Sequence, residues 1–150
     1  MKRILLIALG TILLCNACKK SEERQLEKDI EIIKDYLDDN NLVAQSTASG
    51  LHYIIDVPGE GENPNSLSDV TVIYEGYHPS GSVFDQSLDD GASFSLTSVI
   101  EGWQEGIPLF KVGGSGVILL PSSLAYGPAG NSNIGGDAVL IFDIELVSID

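Results

Sequence analysis

From Leu51 onward the apolar residues of this chain recur with a period of two, and that spacing constrains its fold more than any other feature. Leu51, Tyr53, Ile55 and Val57 alternate with His52, Ile54 and Asp56. Val70, Val72 and Tyr74 alternate with Thr71, Ile73 and Glu75. Ala138, Leu140, Phe142, Ile144 and Leu146 share one face, with Asp143 and Glu145 on the other. Successive side chains of a strand point to opposite faces, so each run predicts a strand with one face turned inward, and the last presents Phe142 to the core. Pro79-Ser80-Gly81 breaks the second run as a turn before Ser82 to Asp85 resumes it. After the turn Gly113-Gly114-Ser115-Gly116, the all-apolar run Val117 to Leu120 suits a strand buried on both faces.

Between Phe94 and Val112 the spacing becomes helical. Ile100, Trp103 and Ile107 fall at steps of three and four, and Pro108 keeps this helix brief or kinked, because its ring removes a backbone donor and crowds the preceding turn. Strands, one short helix and strands again predict an α+β fold, a twisted antiparallel sheet wrapped around the helix. A chain of 150 residues holds one such core and leaves little room for a second full domain.

The first fifty residues follow other rules. Lys2 and Arg3 precede an apolar run, Ile4 to Leu14, interrupted only by Gly10 and Thr11 and too short to span a bilayer; this reads as a secretion signal over residues 1–17. The segment ends in ILLCNACKK, which resembles the lipobox of bacterial lipoproteins. Cys18, after the small Ala17, is the candidate lipidated residue; Cys15, after Leu14, is the weaker choice. An ordinary cleaved signal with incidental cysteines is the alternative. Lipidation would hold an exported protein at a bacterial membrane, on its periplasmic face or at the cell surface, without spanning it.

Residues 18–49 then form a helix and a linker. Leu26, Ile30, Ile33 and Leu37 make one apolar stripe, predicting a helix from about 22 to 39 with Ser21 as its cap and Asn40-Asn41 as its left-handed end. The stripe would pack on the chain's own domain or space it from the membrane. Self-association is the competing use, and a monomer is favoured. The small-residue stretch ending in STASG places the start of the main domain, 50–150, near residue 50.

Charge and motif content exclude much chemistry. The net charge is −14, and beyond residue 50 the only cation is Lys111 against fourteen acids, so nucleic acid is not an expected partner. The two histidines, His52 and His78, sit in exposed-looking contexts, and neither is paired at metal-ligand spacing. No GxSxG elbow, GxGxxG loop or phosphate-binding loop occurs, so neither a metal nor a cofactor is expected.

What remains is a set of aromatics, Tyr74, Phe84, Phe94, Trp103, Tyr126 and Phe142, with one carboxylate, Asp85, beside Phe84. Taken singly, each ring reads first as core. Asp85 does not, since a carboxylate buried among rings needs hydrogen-bond partners or carries a raised pKa, and turning both Phe84 and Asp85 to one site requires a bulge.

In order and spacing, VTVIYEGY, GSVFDQS, FSLTSVIEGW, LFKVGGSG, SLAYG and AVLIFDIEL resemble the FKBP-type peptidyl-prolyl cis-trans isomerases, a likeness covering about Gly50 to Ile149. The resemblance implies a sheet curled around one helix and a shallow apolar pocket that receives a proline ring. It implies Trp103 as the floor and Tyr74, Phe84, Phe94, Val99, Ile100 and Phe142 as walls. Tyr126 and the Ile100 amide would donate to substrate carbonyls, Asp85 would lie beside the carbonyl preceding proline, and Ile134 would close the rim. Asp85, Tyr126, Tyr74 and Phe142 are thus the expected catalytic group. Substrates would be proline-containing polypeptides, with the family's macrolides as further ligands. A non-catalytic chaperone or binding module on the same fold is the alternative. Gly135-Gly136, where many relatives carry two prolines, predicts a more mobile rim, and Asp89 and Asp90 would disfavour acidic substrates.

Overall fold

The computed structural model describes residues 19–150 with their side chains and residues 2–18 by backbone assignment. The expected signal segment and both lipidation candidates, Cys15 and Cys18, lie outside the fully described residues. No helix among the described residues is long and apolar enough to cross a membrane.

Seven strands form one antiparallel sheet: β1 (Gln45–Ser46), β2 (His52–Val57), β3 (Asp69–Tyr77), β4 (Val83–Gln86), β5 (Ala92–Ser95), β6 (Ser115–Leu120) and β7 (Leu140–Ile149). Their order is β1-β2-β6-β7-β3-β4, with β5 also paired to β3. The first half of β3 pairs with β5 and the second half with β4, so the loop 87–91 interrupts what is in effect one edge strand. The short helix α2 (Glu101–Gly106) lies on one face of the sheet and gives way to a 3₁₀ turn over Ile107–Leu109, the stop that Pro108 predicts.

The core lies between α2 and this face. Val70, Val72, Trp103, Ile107, Ile118, Leu120, Phe142, Ile144 and Leu146 are all buried in it, as the period-two spacing of β3 and β7 requires. On the opposite face a second cluster, Ile33, Leu37, Leu119, Val139 and Ile141, joins the sheet to the N-terminal helix α1 (Lys2–Asp39). This second cover explains the all-apolar run in β6. Ile118 and Leu120 face α2 while Leu119 faces α1, so both sides of the strand are dry.

Three expectations change. Helix α1 runs through Ser21, which is therefore inside it and not its cap. Its other end conforms: Asn41 has φ +54°, and the Leu42 amide donates back to the Leu37 carbonyl at 2.8 Å, the left-handed helix ending. In β2 the register holds through Ile55 and shifts before Val57, and both residues are exposed although alternation placed them on the inward face. His52, read as exposed, is buried, and its Nδ1–H donates to the Gly50 carbonyl at 2.9 Å.

Candidate active site

A bulge at the β3–β4 edge creates the site. Gly76 pairs with Asp85 and Tyr77 with Val83, so Phe84 is the extra residue between them. Phe84 turns back over Gly76 onto Phe142, ring centroids 5.6 Å apart, while Asp85 swings toward Tyr74. The bulge needed to aim neighbouring residues at one region is thus present.

Trp103 is the centre of an aromatic box. Tyr74, Phe94 and Phe142 meet it edge-on at 5.0, 5.3 and 5.4 Å, within the range where ring quadrupoles favour T-shaped contact. Helix α2 supplies Trp103, and the segment leading into it supplies Ser98, Val99 and Ile100. With Tyr74, Asp85, Phe94 and Tyr126 these residues line a cavity of about 330 Å³, the size of a small-ligand site. The Trp103 indole Nε1 is buried without a hydrogen-bond partner among the described residues, an unmet donor on the cavity's principal ring.

The polar groups are few. The Tyr74 hydroxyl donates to Asp85 Oδ2 at 2.8 Å, and the Gln86 amide donates to Asp85 Oδ1 at 2.9 Å. Asp85 is exposed rather than buried among rings, so water and these two donors satisfy it. Burial, reinforced by the hydrogen bond to Asp85, pushes the Tyr74 phenol pKa well above its ordinary value, so Tyr74 remains a protonated donor. Ile100 opens α2, and its amide, preceding the first turn, has no intrahelical acceptor.

Of the ten residues expected around a pocket, seven line this cavity: Tyr74, Asp85, Phe94, Val99, Ile100, Trp103 and Tyr126. Phe142 and Phe84 stand behind it as the support of Trp103 and of each other. Ile134 is buried in the core cluster and does not line the cavity. Ser98 is an addition that its residue type did not signal. The loop after Tyr126 is tied down despite Gly135-Gly136. Asn131 Oδ1 accepts from the amides of Asn133 and Ile134, both at 2.8 Å, the Asn131 amide donates to the Ile134 carbonyl, and the Asp137 amide to the Gly127 carbonyl. A larger groove, about 570 Å³, is bordered by the acids Asp56, Glu75, Asp89, Asp143 and Glu145 and has no aromatic box. Among the described residues no group of three or more His, Cys, Asp or Glu could hold a metal ion.

The model of the FKBP-type peptidyl-prolyl cis-trans isomerase family matches residues 60–147, which carry every strand and loop of this cavity. The chain belongs to that family. It is 44% identical over 108 residues to the FKBP-type peptidyl-prolyl cis-trans isomerase FkpA of Aeromonas hydrophila, across 71% of this chain and 40% of that protein. To the peptidyl-prolyl cis-trans isomerase Mip of Coxiella burnetii it is 42% identical over 108 residues, across 70% of this chain and 47% of Mip. The chain therefore spans less than half the length of these curated relatives. Among solved structures, FkpA from Escherichia coli superposes with a TM-score of 0.74 at 31% identity, over 94% of this chain and 70% of that one. A peptidyl-prolyl cis-trans isomerase from Pseudomonas syringae pv. tomato gives 0.71 at 29% identity, over 83% and 95%.

Proposed function

We propose that this chain is a peptidyl-prolyl cis-trans isomerase acting on the proline-containing segments of exported polypeptides. The observation that carries the reading is the Trp103-centred cavity, apolar across its floor, with a few polar groups at its border: Asp85, Tyr126, the Tyr74 hydroxyl, Ser98 and the Ile100 amide. Such a site can bind a proline ring, and isomerisation requires no nucleophile. The barrier to rotation, about 18–20 kcal/mol, comes from amide resonance that is lost as the bond twists. A site that holds the ring and desolvates the planar amide's polarised carbonyl favours the twisted form, and each ~1.4 kcal/mol of that preference speeds rotation about tenfold.

In this reading the proline ring stacks on Trp103 between Tyr74 and Phe94. Tyr126 and the Ile100 amide hold substrate carbonyls, and Asp85, kept in place by Tyr74 and the Gln86 amide, faces the carbonyl before proline. The family's macrolide ligands would occupy the same cavity. The charged start, the apolar run Ile4 to Leu14 and the lipobox-like ILLCNAC support export and attachment to a bacterial membrane through Cys18. A chain fixed there would meet secreted polypeptides whose prolyl bonds otherwise exchange over tens to hundreds of seconds.

The test is NMR exchange spectroscopy on an Xaa-Pro peptide with the wild type, Tyr126→Phe and Asp85→Ala. Both side chains are exposed, so neither change should unfold the chain. We expect catalysis by the wild type and a loss of roughly three- to tenfold in kcat/KM for each variant, the size of one or two hydrogen bonds. No exchange enhancement by the wild type would end the proposal.

A further inference from the structure

Asp29 lies on α1, outside the aromatic box, yet it is fully buried. Its carboxylate is held by three neutral donors. The Ser122 amide and Ser122 Oγ donate to Oδ2 at 2.8 and 2.6 Å, and Gln25 Nε2 donates to Oδ1 at 2.8 Å. Burying a carboxylate costs far more than burying a leucine of similar size, so helix docking alone would be better served by an apolar residue.

What the carboxylate adds is a fixed position for Ser122. That residue opens a 3₁₀ turn, Ser122–Leu124, in which the Leu124 amide donates to the Pro121 carbonyl and the Ala125 amide to the Ser122 carbonyl, both at 3.0 Å. The next residue is Tyr126, at the cavity. A second tie runs in parallel. Ser49 Oγ lies 2.8 Å from both carboxylate oxygens of Glu105 on α2, the helix that carries Trp103. Between the two ties sits Gly50, at φ +91°, where an added Cβ would meet Leu26, Ile30 and Pro121 at 2.9, 3.5 and 3.6 Å. The N-terminal helix and linker thus grip two of the elements that border the cavity, α2 and the turn before Tyr126.

We propose that Asp29 is a positioning residue, holding the 121–125 turn, and through it Tyr126, in register with the floor of the cavity. The catalytic readout rests on the proposed isomerase activity; the structural readout does not.

The experiment uses the full chain with Asp29→Ala, Asp29→Asn, Ser122→Ala and, as control, Leu37→Ala, which loosens α1 on the sheet without touching the turn. Hydrogen exchange of the Leu124 and Ala125 amides is measured together with kcat and KM on an Xaa-Pro peptide. Asp29→Ala should speed exchange at these two amides by about tenfold, through local opening of the turn. It should also lower kcat/KM by about fivefold, chiefly through KM, as expected for lost substrate positioning. Asp29→Asn, which keeps an oxygen acceptor for Ser122, should recover most of both, and Ser122→Ala should fall between. Leu37→Ala should leave both near wild type. Unchanged exchange in Asp29→Ala overturns the proposal, as does an equal effect of Leu37→Ala. If Asp29→Ala does not fold, the Asn and Ser122 variants decide, and wild-type exchange in both overturns it. A wild type without isomerase activity, with faster exchange in the Asp29 variants, removes the isomerase reading and leaves the positioning role standing.

Discussion

A Cβ at residue 76 would lie 2.7 Å from a Phe142 ring carbon and 2.8 Å from two of Phe84, nearer than real Cβ atoms come. Gly76 is therefore part of the site's construction: its missing side chain is the space into which the bulged Phe84 folds to brace Phe142 and, behind it, Trp103. Gly76→Ala should destabilise the fold by about 1–3 kcal/mol, the usual cost of overpacking, and lower the urea midpoint. The ordered motifs announced much of this site, because each aromatic taken alone reads as core and only their sequence order points to a pocket. They did not announce which rings touch a ligand. Phe142 is buried against Trp103 and does not line the cavity, so Phe142→Ala would report on stability before chemistry. Asp85 was expected to need partners inside the core, and it finds two of them at the surface, because the bulge turns it outward past Phe84.

Helix α1 illustrates what an element's spacing can and cannot say. The stripe Leu26, Ile30, Ile33 and Leu37 predicts one apolar face, and the sheet covers its second half, with Ile33 wholly buried and Leu37 nearly so, while the half-buried Leu26 and Ile30 lie beside Gly50. Ile33→Ala should cost about 2–5 kcal/mol, as removing a buried aliphatic side chain does. Its neighbour Ile32, 41% exposed, should cost under about 0.5 kcal/mol when changed to Ala, as surface substitutions usually do; urea unfolding of the two variants is the check. Asn41 was legible as the helix end because asparagine tolerates the left-handed region. The β2 register shift was not legible, since nothing in HYIIDV marks where pairing slips.

At the scale of the whole molecule two phenols tie the sheet's outer and inner faces to acids. Tyr77 donates to Asp143 at 2.9 Å and Tyr74 to Asp85 at 2.8 Å, and burial is the main cause that raises both pKa values above the ordinary range. A phenol whose pKa is higher folded than unfolded contributes stability that is complete below the unfolded value of about 10 and is lost as pH rises beyond it. Thermal midpoints should thus hold from neutral pH to about 10 and fall above it, and the fall should be shallower in the Tyr74→Phe, Tyr77→Phe double variant. An unchanged slope would remove these tyrosines as its source. The sequence by itself determined the inward faces of β3 and β7, the brief helix, the apolar side of α1 and the family, because each follows from periodicity, from proline and asparagine chemistry, or from ordered motifs. Only the tertiary structure decided that Phe84 and Phe142 support the cavity while Ser98 lines it, that His52 is buried, and that Asp29 reaches the turn before Tyr126. Those facts join residues up to ninety-three positions apart, and contacts at such separation depend on register, bulges and packing, which local residue pattern does not encode.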